Sequence, residues 1–377
     1  MIEKLKEEFT EIYFTNISST KGLEMLSQNI GISKNSMRRF LGKLNDGTKL
    51  RTSTLNLIAE KLGYRNYQDF CENYNNISLT IDFKTLETFY NSVKGKGVVL
   101  GEERFQNVNY GFSEKIILDS NNLKEFIKRF STNHEALEYV LAWHPTYSRI
   151  NNEDYQEALL KVAKITNNSH LKVFSYSFIF CGKFLANSFE NDEKEFYLKY
   201  IGRSIKHMRK NYHFFWSFPE VRYAVVKCLY SKSFPDEIKE ICTKSLSLSD
   251  RFIYNLYLSD ALNLVKNYEA AEILQNTILD KKNIEEFERE NFHHKTHLPL
   301  LKIVRAITLF HLDRKEESLR IFRQLLSFID VIPFDIKEYF ELQYYYLGTK
   351  FFPESIDFKS KFDLIVEKTK FIYFKGL

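Results

Sequence analysis

With 377 residues, 44% hydrophobic and 27% charged, the chain is long enough for two or three domains and too apolar to be disordered. Only 13 Gly and 6 Pro are present, too few for the many tight turns of a β-sandwich, barrel or propeller, so an all-α fold is expected. There is no long uninterrupted apolar run, and the charged start Met1-Ile2-Glu3-Lys4-Leu5-Lys6 has no apolar signal core, so the expectation is a cytoplasmic protein that does not enter a membrane.

In chain order, Ile2, Leu5, Phe9 and Ile12 fall on one face of a first helix. Leu23, Leu26 and Ile30 repeat at helical spacing and stop at Gly31, which suits the left-handed residue that closes a helix. Ser33 is a good N-cap for a second helix, in which Met37, Phe40 and Leu41 face inward and Lys34, Asn35, Ser36, Arg38 and Arg39 face outward. The net charge of +5 is concentrated here. Residues 21–51 carry Lys21, Lys34, Arg38, Arg39, Lys43, Lys49 and Arg51 against only Glu24 and Asp46, so the rest of the chain is neutral. Such a local excess is the electrostatic footprint expected for a polyanion.

The run Leu26-Ser27-Gln28-Asn29-Ile30-Gly31-Ile32-Ser33 resembles the core of the phage-repressor (Cro-type) helix-turn-helix, with Ser27 at its small position. Downstream, Thr54-Leu55-Asn56-Leu57-Ile58-Ala59-Glu60-Lys61-Leu62-Gly63 resembles that domain's closing helix. The resemblance covers about residues 20–75 and implies binding to double-stranded DNA. Ser33 would open the recognition helix, with Lys34, Asn35, Ser36 and Arg38 toward the bases and Arg39 on the same DNA-facing side. Lys43, Lys49 and Arg51, in a loop longer than the family's usual one, would be placed for phosphates. The expected domain is residues 1–78.

Residues 79–120 read as a Gly-rich connecting segment, because Gly95, Gly97, Gly101 and Gly111 fall there and Val98-Val99-Leu100 reads as extended. Any β-structure is expected between residues 98 and 110. The string Gly95-Lys96-Gly97-Val98-Val99-Leu100-Gly101 lacks the spacing of a phosphate loop.

From residue 121 to 377 the pattern is helix after helix. One stripe is Leu123, Phe126, Ile127 and Phe130, another Tyr155, Leu159, Val162 and Ile165. The aromatics from Phe174 to Phe180, then Phe196 and Tyr200, are expected to fill the core. Around Ala306, Ser318 and Phe322, and again from Tyr257 to Leu274, the layout is similar to tetratricopeptide repeats, which implies an α-solenoid of helix pairs.

No catalytic constellation is evident. His293 and His297 share a helical face, but the zinc-protease slot for Glu holds His294, so a polar, partly exposed turn is expected and no metal. The cysteines Cys71, Cys181, Cys228 and Cys242 are too scattered for a metal pair or a disulfide framework. No cofactor is expected and the chain reads as non-enzymatic. The resulting expectation is a dimeric, sequence-specific transcriptional regulator whose repeat body takes a peptide or protein ligand. The alternative is an interaction scaffold, or an antitoxin-like or defence-associated component, with the same head.

Overall fold

The computed structural model describes the chain apart from residues 1, 49, 69, 72–80, 96–102, 191, 212–216, 234, 237–247, 291–293 and 330–331. Among the described residues the fold is all-helical, without a strand. The chain divides into two compact units, Met1–Thr80 and Ile81–Leu377.

The first unit contains α1 (Ile2–Ile17), α2 (Thr20–Ile30), α3 (Lys34–Phe40) and α4 (Thr52–Lys61). Its core gathers Leu5 and Phe9 of α1, Leu23, Leu26 and Ile30 of α2, Met37 and Phe40 of α3, and Leu55 and Ile58 of α4. Ile2 and Ile12, expected on the same buried face, are exposed. Only the middle of the stripe meets the other helices, with the Phe9 ring set edge-on to Phe40 at 5.5 Å. The turn between α2 and α3 is fixed by two bonds: the Gly31 amide donates to the Gln28 carbonyl at 3.1 Å and the Ile32 amide to Ser27 at 3.0 Å. This pairing needs a left-handed residue, and Gly31 has φ +80°. Ser27 is buried, as a close helix approach requires.

The second unit begins with α5 (Phe83–Val93), α6 (Glu103–Leu118) and α7 (Ser120–Arg129). Residues 83–93 and 103–118, expected as connecting segment, are therefore helical, and Leu86, Tyr90, Ile116 and Ile117 lie in the core. The glycines misled: Gly111 is inside a helix, while Tyr90 donates to Asn109 at 2.8 Å and Asn109 to the Tyr139 carbonyl at 2.9 Å. Residues 103–110 are thus not β-structure, and residues 98–100, with Gly97 and Gly101, lie outside the described residues.

After the short α8 (His134–Leu137) come α9 (Glu153–Ile165), α10 (Ser169–Leu185), α11 (Glu193–Asn211), α12 (Ser217–Ser231), α13 (Leu248–Leu264), α14 (Tyr268–Asn276) and α15 (Lys281–Glu290). The remaining helices are α16 (His294–His311), α17 (Lys315–Leu325), α18 (Lys337–Phe351) and α19 (Ile356–Thr369), followed by a 3-10 turn, Ile372–Gly376. Successive helices pack as α9 on α10, α10 on α11, α12 on α13, α13 on α14, α16 on α17 and α18 on α19, and α10 also packs on α12, α13 on α16, and α16 on α18.

Small residues set the closest approaches. The Ser318 hydroxyl on α17 donates to the Ala306 carbonyl on α16 at 2.6 Å, both residues being fully buried. A Cβ at Gly182 would press on the Ile150 carbonyl, and one at Gly348 on the Phe358 ring. Phe196 and Tyr200, expected in the core, instead sit 44% and 37% exposed on α11. They cluster with the buried Tyr176 of α10 and Tyr197 of α11.

Gly31 isolates the cost of backbone geometry, since nothing lies within 4 Å of a Cβ added there. Gly31→Ala is expected to destabilise the first unit by about 1 kcal/mol, with Gly31→Asn costing less. Thermal unfolding of the two variants beside the parent chain checks this.

Candidate nucleic-acid interface

The candidate surface is built on α3, seven residues long. A helix this short does not persist alone, so its placement depends on Met37 and Phe40, which are buried, and on its cap. The Ser36 amide donates to the Ser33 Oγ at 3.1 Å, and the two hydroxyls lie 2.9 Å apart. The Gly42 amide donates to the Arg39 carbonyl at 3.0 Å and closes the other end.

Of the residues expected to face the bases, Asn35 and Arg38 are exposed, and their side chains contact no partner among the described residues. Ser36 is half-buried. Lys34 is partly committed, its Nζ lying 3.0 Å from a Glu24 carboxylate oxygen. Arg39 is committed more fully: its Nε and Nη2 reach the Asp46 carboxylate at 2.8 and 2.6 Å. Hydrogen bonds from that guanidinium hold the Asp46 carboxyl well below the usual carboxylate range, with the Thr48 amide adding at 3.1 Å. Lys43, expected on phosphates, donates to the Ile17 carbonyl at 2.6 Å. Arg51 is exposed at the start of α4, and Lys49 lies outside the described residues.

Asn35 and Arg38 are therefore exposed and uncommitted, whereas Arg39 and Lys43 have roles within the unit. Both pairings reach outside the helix, to Asp46 in the following loop and to Ile17 at the end of α1, so helical periodicity gave no sign of them. Beside α3 a cleft of about 450 Å³ runs to the first turn of α4, lined by Ser33, Ser36, Arg39, Thr48, Arg51 and Ser53. It is a polar recess flanked by two arginines and two helix starts, which suits an anionic oxygen chemically.

The second unit holds charges that composition could not reveal. Arg222 is 3% exposed, with its guanidinium 4.6 Å above the Phe178 ring and 4.9 Å above Tyr257. One nitrogen donates to the Tyr147 hydroxyl, and the other, Nη2, has no partner among the described residues. Asp260 accepts from the Tyr339 hydroxyl at 2.7 Å and from the Gln343 amide at 3.1 Å. Burial pushes its carboxyl up to about 6 against these hydrogen bonds. Asp335, whose Oδ1 has no donor among the described residues, is pushed up to about 7 by burial.

His297 departs from the expected polar, partly exposed turn. It is buried in α16 against the rings of Tyr257 and Phe287 rather than in an exposed polar turn, because its helix turns it inward with Leu300 and Leu301. His293 lies outside the described residues. Among the described residues no group of three His, Cys, Asp or Glu side chains is placed to hold a metal ion. Nor is any described helix long and apolar enough to cross a membrane. In comparisons with protein-family models, curated proteins and solved structures, nothing matches the chain.

Asp335 makes stability depend on pH in a defined direction. Its folded carboxyl binds a proton up to about pH 7, whereas its unfolded value is near 3.8. Its contribution is therefore full below pH 4 and is lost as pH rises to about 7. Asp335→Asn removes this loss, so relative to the parent chain the variant is expected to gain up to roughly 1.4 kcal/mol per pH unit across that window. Urea unfolding of both chains at pH 5 and 7.5 measures the difference.

Proposed function

We propose that the chain is a sequence-specific DNA-binding transcriptional regulator. In this reading α2 and α3 form a helix-turn-helix of the phage-repressor type, and α3 enters the major groove. The helices beyond residue 121 form an α-solenoid of tetratricopeptide-like pairs that binds a partner or peptide and joins two copies. The observation that carries the reading is the exposure of Asn35 and Arg38 on a capped, core-anchored helix in the most basic stretch of the chain. Asn pairs bidentately with adenine and Arg with guanine. Arg51 lines the cleft beside Ser33 and Ser36 at the start of α3, a position suited to a phosphate.

A second reading, an interaction scaffold, draws on a different observation. Lys34, Arg39 and Lys43 are engaged by Glu24, Asp46 and the Ile17 carbonyl, so part of the basic character is spent inside the unit. The two readings separate by experiment.

Genomic fragments selected by the purified full chain supply a binding sequence, and fluorescence anisotropy supplies affinities. Asn35→Ala or Arg38→Ala is expected to cost roughly 1 to 3 kcal/mol of binding and to relax preference at one base position. Arg51→Ala and Lys49→Ala are expected to weaken all sequences alike and to lower the salt slope by about one. Light scattering is expected to give a dimer on DNA, since repressor-type heads read paired half-sites. Unchanged affinity after replacing Lys34, Asn35 and Arg38 together by Ala would favour the scaffold.

A further inference from the structure

Residues 371–377 follow α19 and lie along a floor to which α10, α13, α16 and α18 each contribute. Phe371 and Phe374 are buried. Their spacing of three puts them on one face of a 3-10 turn, and the Tyr339 ring lies edge-on to both, at 6.2 Å in each case. Tyr373 packs on Phe184 of α10 at 4.5 Å, and its hydroxyl donates to the Leu264 carbonyl at 2.8 Å. Lys266 donates to the Gly376 carbonyl at 3.1 Å. The chain enters this groove through Lys370, a non-glycine residue in the left-handed region at φ +60°.

The manner of attachment is that of a ligand: two aromatic anchors and two hydrogen bonds to main-chain carbonyls, one in each direction. The fit is close, leaving a void of about 10 Å³ between Phe374 and Leu377 on one side and Asn263, His311 and Gln343 on the other. At this void the match is incomplete. Gln343 is 1% exposed, and its Oε1 has no donor among the described residues. The segment covers a mainly aromatic and aliphatic floor and leaves the Gln343 oxygen unmatched, whereas an occupant bringing one N–H or O–H group within its reach would satisfy it.

We infer that this groove is a docking site for an extended segment of a partner protein carrying two aromatic side chains three residues apart, and that residues 371–377 are its intramolecular occupant, displaced when the partner binds. The inference deepens the partner-binding part of the proposed function and rests on it, but not on the head's binding to DNA. A tethered segment competes at an effective concentration on the order of millimolar, so the parent chain binds an equivalent free segment weakly.

The probe is a fluorescent peptide of residues 370–377, added to the full chain and read by anisotropy. Phe374→Asp, which expels the chain's own segment and leaves the groove intact, is expected to bind the peptide at least about tenfold more tightly than the parent. Tyr373→Phe with Phe374→Leu, a milder pair, is expected to give an intermediate affinity. If Phe374→Asp loses its helical circular dichroism, the milder pair alone decides. Absence of binding in helical variants, or equal affinity in parent and variants, overturns the inference and makes the segment a fixed part of the core. DNA affinity of the same samples is read separately, so failure of the head's assignment is not confused with failure of the groove.

Discussion

None of the helices here has the means to persist alone. The described helices run from four residues to the 19 of α11, and in a folded chain most of a helix's stability comes from an apolar face covered by a neighbour. Everything else depends on helix bodies coming close enough to cover one another. Closeness is granted at a few small residues, where Ser318 reaches Ala306 and where Gly182 and Gly348 leave room for a carbonyl and a phenyl ring. Larger side chains there would push whole helices apart, because well-packed cores yield little. Register is fixed by polar groups between α13, α14 and α16. The Gln275 amide donates to Thr308 at 2.8 Å, Thr308 lies 2.9 Å from the Asn263 oxygen, and Asn263 donates to the Val304 carbonyl at 2.9 Å. Sliding one helix by a turn would strand all of these groups without partners.

The same dependence shapes the candidate interface. The position of Asn35 and Arg38 is set by Met37 and Phe40 below them, by the Ser33 cap at one end and by the glycine closure at the other. Arg39 then ties the following loop to the helix through Asp46. The charge spent on that pair fixes the loop beside α3, an arrangement that places Arg51 close to the helix start.

Much of this was legible from sequence because helical periodicity is local. The stripes Leu23, Leu26, Ile30 and Leu123, Phe126, Ile127 are buried as their spacing requires, and Gly31 and Ser33 end and begin helices where turn chemistry places them. What was not legible depends on long-range proximity. Asp260 and Tyr339 are 79 residues apart, and Arg222 finds Tyr147 at a distance of 75. Phe196 and Tyr200 have the spacing of core residues yet stay outside, because an apolar stripe states that a face is apolar and not whether a neighbour covers it. Residues 83–93 and 103–118 differ from the sequence expectation for another reason. Glycine often punctuates a chain, but Gly111 lies in a helix whose buried Ile116 and Ile117 supply more free energy than one glycine removes.

Order of synthesis gives the 371–377 segment a further significance. Most contacts of the second unit join helices that are near neighbours in the chain, so they can form progressively as the polypeptide leaves the ribosome. The groove floor is complete once α18 has emerged, but its cover is made only afterwards, from residues translated later. Each new molecule thus passes through an interval in which Tyr339, Leu264 and Phe184 are already in place and still uncovered. During that interval a nascent chain presents to its surroundings an aromatic surface that the finished molecule conceals.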